Sequence, residues 1–322
     1  MSKPPRKKRE IRDASALQPA LFQFDKAGNP HTRVVWAFDK EQRARQLAAL
    51  RALRAVKFPQ GISAAIPGKS LYDNVRPHKD NKSVKFYLTD FKDAYGSVQQ
   101  DALREKVESI VGKYAKGRDN QEVRRTIADY MDDGAFLHGV DGLPQGNATS
   151  PDLLEWYLKD ADSMLVFEMV RRRSLGEVAT RYLDDLTVSS PDARALGAPF
   201  RQTIREIYKN LAPGMEVNHS KSKIHQLGPR QVTITGLSLY PDGRITPTAS
   251  LLDAANGVFG EMAAKLAHSE EITLDDVSKV AGYNGVLNLA GESSRSQSKL
   301  VRNMGKQAHS LIRQLNARVP KF

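Results

Sequence analysis

The stretch RYLDDLTVSS, Arg181 to Ser190, puts two adjacent carboxylates, Asp184 and Asp185, in the middle of an alternating segment. Alternation in 180–183 and again in 186–189 predicts two strands joined by a tight turn, an antiparallel hairpin. Two negative charges this close repel each other unless water or a cation lies beside them. A solvated turn, where Asp is common, is one interpretation, and a cation site is the other.

The composition narrows the range of partners. The chain has 322 residues, of which 40% are hydrophobic, and a formal net charge of +12. Such an excess of positive charge predicts a polyanionic partner, with nucleic acid ahead of an anionic membrane surface. No apolar run is long enough for a membrane span or a signal peptide, so we expect a soluble, cytoplasmic protein that does not bind a membrane.

The absence of cysteine restricts the metal chemistry. With no cysteine in the sequence, a metal ion must be held by oxygen or histidine, and the seven histidines show no ligand spacing. Carboxylates remain, and KFYLTDF (85–91) supplies Asp90 at the end of an apolar strand. Two Mg²⁺ ions about 3.5–4 Å apart, as used for phosphoryl transfer, need carboxylates from separate segments. We therefore expect two Mg²⁺ ions, with Mn²⁺ as an alternative ion.

Three motifs in a fixed order carry a resemblance to a known family. Tyr182–Asp185 resembles a Y-x-D-D box, and Asp90–Val98 (DFKDAYGSV) resembles the first palm motif of reverse transcriptases. Between them, Gly142–Gly146 (GLPQG), followed by Ser150 and Pro151, is similar to L-P-Q-G-x-x-x-S-P. Each motif is short, but three in this order are specific. The sequence resembles the RNA-directed DNA polymerases called reverse transcriptases.

The resemblance implies a fold. Reverse transcriptases are α+β right-hand polymerases with fingers, a palm whose antiparallel sheet is backed by helices, and a helical thumb. We expect a basic arm over 1–22, fingers over 23–85 with part of 100–150, a palm over 86–244 and a thumb over 245–322.

The same resemblance implies catalytic residues. Asp90, Asp184 and Asp185 would hold the metal ions together with the backbone of Phe91. Lys221 would donate a proton to the leaving pyrophosphate, and an exposed basic loop is the alternative interpretation of this lysine.

A second group of residues would bind the incoming nucleotide. Tyr95 would lie under the sugar and exclude a ribose 2′-hydroxyl, unless it is only a buried aromatic. Gln145 and Gly146 would line the nucleotide, unless they form a plain turn. Backbone amides around 91–94 would face the triphosphate, which an early arginine would clamp. The predicted nucleotide-binding residues are Arg33, Phe91, Asp93, Ala94, Tyr95, Gln145 and Gly146.

Within the family, the resemblance is to the compact bacterial retron type. Asn74–His78 is similar to the retron N-A-x-x-H element with Val75 for Ala, and Thr233–Gly236 is similar to V-T-G with Ile234 for Val. Near the C-terminus, basic and apolar residues recur on opposite faces of one predicted helix, which suits a thumb helix gripping a duplex unless the basic face is merely solvated. The predicted nucleic-acid-binding residues are Asn74, His78, Arg295, Lys299, Arg302, Lys306 and Arg313.

The expected function follows from the resemblance. We expect DNA synthesis from deoxynucleotides on a noncoding RNA template, through an RNA–DNA duplex, in a retron-type antiphage defence system with a separate effector protein. The alternatives are a non-retron defence enzyme with protein-primed or template-independent synthesis, a group II intron-like reverse transcriptase, and a noncatalytic RNA-binding scaffold. Three retained carboxylates argue against the scaffold, because clustered acids are costly unless they hold metal.

Overall fold

The computed structural model describes residues 19–20, 23–24, 30–31, 35–36, 38–59, 61–117, 120–172, 176–228, 230–291 and 298–318. Most of the predicted basic arm, together with Arg33 and Arg295, lies outside these residues. The helices are α1 (Lys40–Ala55), α2 (Leu71–Asp80), α3 (Gln100–Tyr114), α4 (Gln121–Asp133), α5 (Ser150–Arg171), α6 (Ala198–Leu211), α7 (Ala249–Ala267), α8 (Leu274–Gly291) and α9 (Ser298–Arg318). No helix of the described part of the chain is both long and apolar enough to cross a bilayer.

The strands of the described residues are short and fall into four sheets. They are β1 (Pro19–Ala20), β2 (Gln23–Phe24), β3 (Pro30–His31), β4 (Val35–Trp36), β5 (Lys85–Thr89), β6 (Val178–Tyr182), β7 (Asp185–Ser190), β8 (Lys223–Gln226), β9 (Val232–Ile234), β10 (Leu237–Leu239) and β11 (Ile245–Pro247). All named strand pairs are antiparallel within the described residues.

The chain divides into two compact units. The first unit comprises Met1–Gly61, Phe91–Val166 and Gln202–Asn218, and the second comprises Ile62–Asp90, Phe167–Arg201 and His219–Phe322. Both units are discontinuous in sequence, whereas the predicted fingers, palm and thumb are mostly consecutive. The assignment of those three names therefore stays a prediction.

Helical packing dominates the described part of the first unit. α1 begins with a capping box in which Asp39 accepts a hydrogen bond from the Gln42 N–H, and α1 packs against α4. A serine followed by a proline favours a helix start, and α5 begins at Ser150. The apolar residues spaced three or four apart along α5 are buried: Leu154, Leu158, Ala161, Leu165 and Met169.

A four-stranded sheet with the order β6-β7-β5-β8 forms the centre of the second unit. The predicted hairpin is confirmed as β6 and β7, which pair from Val178 with Ser189 down to Tyr182 with Asp185. β5 lies between β7 and β8, and its last residue, Thr89, pairs with Leu186. The acidic doublet is therefore at one end of a sheet whose middle strand leads directly to Asp90.

Helix α2 is attached to the sheet by polar contacts from its buried face. Nδ1 of His78 lies 2.6 Å from the Ser189 hydroxyl, and Nε2 lies 2.8 Å from the Thr180 hydroxyl. The Thr180 hydroxyl in turn donates at 2.9 Å to the carbonyl of Asn74, which lies on the same helix as His78. His78 thus joins one helix to both strands of the acidic hairpin.

The expected contact of Asn74 and His78 with nucleic acid does not fit this arrangement. Both side chains are 0% exposed. The Asn74 amide instead donates to the Thr235 hydroxyl at 3.1 Å, in the turn between β9 and β10. Thr235 and Gly236 both have positive φ, 44° and 84°, which suits a two-residue hairpin turn. The two retron-like sequence elements therefore contact each other inside the protein.

The C-terminal helices have their own core in the second unit. Helices α7, α8 and α9 surround Phe259, Met262, Leu287, Met304 and Leu311. The two predicted stripes of α9 are confirmed as opposite faces: the buried residues are Val301, Met304, Ala308, Leu311 and Leu315, and the exposed cations are Arg302, Lys306 and Arg313. Lys299 also lies on α9. The contact of this basic face with a duplex stays a prediction.

The burial of His78 predicts a pH dependence of stability. Burial lowers the pKa of His78 from 6.5 to about 3, so below pH 6.5 the unfolded chain binds a proton that the folded chain excludes. The contribution of neutral His78 to the free energy of unfolding is therefore fully present above about pH 6.5. Below about pH 6 the free energy of unfolding falls as the pH falls, with a slope that approaches about 1.4 kcal/mol per pH unit. Urea unfolding of the wild type and of His78→Gln between about pH 7.5 and 4.5 measures this dependence.

We expect His78→Gln to be less stable than the wild type near neutral pH but to depend less steeply on pH. His309→Gln, at an exposed position on α9, is the matched control and should retain the wild-type slope. Equal slopes for the wild type and His78→Gln would contradict a buried neutral imidazole.

Candidate active site

The turn between β6 and β7 carries the acidic doublet. Leu183 and Asp184 form a two-residue loop, since Tyr182 pairs with Asp185. Leu183 has a φ of 55°, the left-handed region that the first residue of such a turn requires and that glycine usually supplies. Asp184 is half-buried and Asp185 is exposed. The turn therefore holds both carboxylates at the end of the hairpin, at some cost in backbone strain.

The strand register brings Asp90 to the same end of the sheet. Thr89 pairs with Leu186 on the antiparallel strands β5 and β7, so the next position on each strand sets Asp90 beside Asp185. Neighbouring strands lie about 4.8 Å apart, so the two backbones are adjacent here. The strand register thus makes neighbours of two residues that are 95 positions apart in the sequence.

The two oxygens of Asp90 have different surroundings. Oδ2 accepts a hydrogen bond from the Lys221 ammonium at 2.6 Å, whereas Oδ1 is buried and has no hydrogen-bond partner among the described residues. The Asp90 side chain is only 12% exposed, and that of Lys221 is 62% exposed. A buried carboxylate oxygen without a partner costs free energy unless a cation or donor reaches it.

This carboxylate environment fits a hard divalent cation. Mg²⁺ prefers oxygen ligands and is usually held by one or two carboxylates plus substrate phosphates. In the part of the chain that the structure describes, no three His, Asp or Glu side chains are gathered closely enough to hold a metal ion. The register therefore brings the backbones of Asp90 and Asp185 together, but these side chains do not by themselves form a three-ligand metal site in the described part of the chain.

Lys221 is held near Asp90 by its neighbour in sequence. The Ser222 hydroxyl lies 2.7 Å from the Thr89 hydroxyl and 3.3 Å from the Tyr87 hydroxyl, which ties the segment before β8 to β5. Ser222 is not among the site residues predicted from the sequence. Its only local signal is its place beside Lys221, and its contact depends on the pairing of two distant strands.

The first palm motif continues into the first unit as a compact turn. The backbone of Phe91 pairs with Val217, and the Phe91 ring lies 4.7 Å from the Tyr208 ring. The Lys92 N–H donates to the Glu216 carbonyl at 2.9 Å. The expectation that amides around 91–94 face a triphosphate therefore does not hold for Lys92, whose amide has a partner within the protein.

Tyr95 is attached to the glycine-rich loop of the second motif. Its carbonyl accepts a hydrogen bond from the Leu143 N–H at 2.8 Å, and its side chain is half-buried. Gly142 has a φ of 66°, and a Cβ there would lie 2.1 Å from the Tyr95 carbonyl oxygen. Only glycine allows this approach, so two predicted motifs meet within the first unit.

The loop around Gln145 and Gly146 is held by α1 and the strand before it. The Trp36 N–H donates to the Gln145 carbonyl at 2.8 Å, and Arg43 donates to the Gly146 carbonyl at 3.4 Å. The Gln46 side chain, 2% exposed, accepts from the Ala148 N–H. Arg43 and Gln46 are not among the site residues predicted from the sequence. The local signal for Gln46 is that a glutamine lies on the apolar face of a helix rich in Ala, Leu and Arg.

Comparisons with known proteins agree with the motifs. The profile of a family described as "Reverse transcriptase (RNA-dependent DNA polymerase)" matches residues 26–239. The retron Ec73 reverse transcriptase of Escherichia coli is 22% identical over 68% of this chain, and the retron Mx65 reverse transcriptase of Myxococcus xanthus is 29% identical over 61%. The chain spans 66% and 46% of the lengths of these two relatives.

A solved structure shares the fold. Telomerase from Candida Tropicalis, solved in complex with a TWJ fragment of telomeric RNA, has a TM-score of 0.50 and 12% identity, covering 93% of this chain and 65% of that chain. At this identity the likeness concerns the fold alone, and it supports the predicted α+β polymerase class. Because the family profile covers well over half of the sequence, the chain belongs to the reverse transcriptase family.

Proposed function

We propose that this protein is a divalent-metal-dependent RNA-directed DNA polymerase. The observation that carries the proposal is the strand register that sets Asp90 beside Asp185, next to Asp184. One Asp90 oxygen is buried and has no hydrogen-bond partner in the described part of the chain. Family membership supports the same reaction. Nucleotidyl transfer between a 3′-hydroxyl and a triphosphate needs paired cations that are held by carboxylates. The end of this sheet carries three such carboxylates.

In the proposed mechanism, Asp90, Asp184 and Asp185 hold two Mg²⁺ ions, and the Phe91 carbonyl is a further candidate ligand. When bound, the ions would favour the ionised 3′-hydroxyl and stabilise charge on the leaving pyrophosphate. Lys221 is the proposed proton donor to that pyrophosphate through Nζ. Two observations support this role: the Lys221 side chain is largely exposed, and the contact of Ser222 with Thr89 keeps the Lys221 backbone close to Asp90, with which the ammonium pairs.

Nucleotide selection is assigned to the loops of the first unit. Tyr95 is proposed to lie under the sugar, where its ring would collide with a 2′-hydroxyl. The hydrogen bond from the Leu143 N–H and the close approach of Gly142 hold the Tyr95 backbone in place, which a steric filter requires. Gln145 and Gly146, with Asp93 and Ala94, would line the nucleotide.

We further propose a retron-type role, with a dedicated noncoding RNA as template and a function in bacterial antiphage defence. Two relatives carry retron names, and the two retron-like elements of this chain contact each other through Asn74 and Thr235. The exposed cations of α9 are the proposed contacts to the phosphates of an RNA–DNA duplex.

Sequencing the nucleic acid that copurifies with the protein tests the proposed retron-type role. Product DNA complementary to one copurified RNA supports the role, and DNA unrelated to any such RNA favours template-independent synthesis.

Removal of the hairpin carboxylates should abolish catalysis. In Asp184→Asn with Asp185→Asn, loss of the metal ligands should lower primer extension on an RNA template by at least about 100-fold. Binding of the primed template should change little, because affinity for the phosphate backbone comes from cationic side chains and not from carboxylates. Asp80→Asn, at an exposed position on α2, is the matched control. A fully active double variant would remove the proposed mechanism.

Truncation of Tyr95 should relax sugar discrimination. Tyr95→Ala should lower the ratio of kcat/KM for a deoxynucleotide over the matching ribonucleotide by roughly tenfold or more, since a steric clash is lost. Tyr95→Phe keeps the ring and should retain the wild-type ratio. If Tyr95→Ala keeps the same ratio in single-nucleotide incorporation, the residue is only a packed aromatic.

A further inference from the structure

Arg181, one residue before the Y-x-D-D box, is completely buried. Its exposure is 0%, and it is among the largest side chains of the described residues that lie wholly inside the protein. A buried guanidinium loses its hydration, which costs several kcal/mol unless hydrogen bonds and negative charge compensate. Packing alone does not explain a buried arginine on a hairpin that ends in two carboxylates, because an apolar side chain would fill the same space at a lower cost.

The guanidinium is hydrogen-bonded to the turn that carries the acidic doublet. Nη1 of Arg181 donates to the Leu183 carbonyl at 2.7 Å. That carbonyl belongs to the peptide bond that joins Leu183 to Asp184. Since Leu183 is held in the left-handed region at φ 55°, this hydrogen bond stabilises a backbone conformation that leucine rarely adopts.

The backbone of Arg181 is itself anchored on its outer side. Its N–H donates to the Ile62 carbonyl at 3.0 Å, and its carbonyl accepts from the Ala64 N–H at 2.7 Å. Ser63 lies beside it as a parallel bridge and is 1% exposed. On the inner side, Arg181 pairs with Leu186 of β7. Segment 62–64 therefore closes the outer edge of β6, and the guanidinium projects from a rigid backbone.

We propose that Arg181 is a positioning residue for the acidic doublet: through the Leu183 carbonyl it holds the peptide that leads into Asp184, and so sets where the two carboxylates meet a divalent cation. This inference rests on the proposed metal-dependent function. The residue acts through the backbone and does not itself touch the substrate.

The test compares Arg181→Met with Arg181→Lys in the full-length chain freed of nucleic acid. Mn²⁺ is titrated into each protein, and free Mn²⁺ is followed by electron paramagnetic resonance. We expect the half-saturating Mn²⁺ concentration to rise about tenfold or more in Arg181→Met, as for other residues that orient metal ligands, and by less in Arg181→Lys. Arg76→Met, at a residue whose side chain is 62% exposed, is the matched control and should bind Mn²⁺ as the wild type does.

Two further readouts separate positioning from simple stability. Circular dichroism and urea unfolding show whether each variant folds, and methionine can fill the volume of the buried arginine stem. In extension assays, kcat should fall while KM for the deoxynucleotide stays near the wild-type value. A purely structural arginine would lower the urea midpoint and leave Mn²⁺ binding of the folded variant unchanged.

The outcomes distinguish this inference from the proposed function. Unchanged Mn²⁺ binding in folded Arg181→Met overturns the positioning role, even if the wild type extends primers. A wild type that binds Mn²⁺ in an Arg181-dependent way but extends no primer supports the positioning role and refutes the polymerase. If Arg181→Met does not fold, Arg181→Lys decides: weaker Mn²⁺ binding than in Arg76→Met supports the inference, and equal binding overturns it.

Discussion

The pairing of β5 with β7 is the constraint on which the candidate site depends. Thr89 lies opposite Leu186, and this single register sets Asp90 beside the acidic doublet. A slip of one residue would turn every side chain of β5 to the other face and separate the acids. The register is protected by burial, since Phe86, Tyr87, Leu186 and Val188 are at most 1% exposed. The hydrophobic core of the sheet thus determines the chemistry at its end.

Two cationic side chains make hydrogen bonds at the end of the sheet that carries the acids. Lys221 neutralises one oxygen of Asp90 from the solvent side, and Arg181 holds the turn before Asp184 from inside the protein. The Lys221 ammonium and the Arg181 guanidinium differ in how firmly they are held. The exposed ammonium can leave when a metal ion arrives, whereas the buried guanidinium is fixed by its hydrogen bond and by the anchored backbone of β6. A site prepared for cations can in this way fold before the cations bind.

Helix α2 shows how a motif can have a structural role. The resemblance suggested that Asn74 and His78 contact nucleic acid, yet both are buried and bind hydroxyl groups of Thr235, Thr180 and Ser189. The imidazole suits this position because both of its ring nitrogens lie within hydrogen-bond distance of a hydroxyl group. The element therefore links the acidic hairpin to the β9–β10 turn.

The sequence alone determined the features that depend on local periodicity: the hairpin around Asp184, the start of α5 at Ser150, the two faces of α9, and the order of motifs that identifies the family. Tertiary structure alone decided which partner each side chain meets. The contacts of Lys221 with Asp90, Arg43 with Gly146, and His78 with Ser189 join segments 103 to 131 residues apart. Periodicity reports which face of an element is buried, but the partner on that face is chosen by packing of the whole chain.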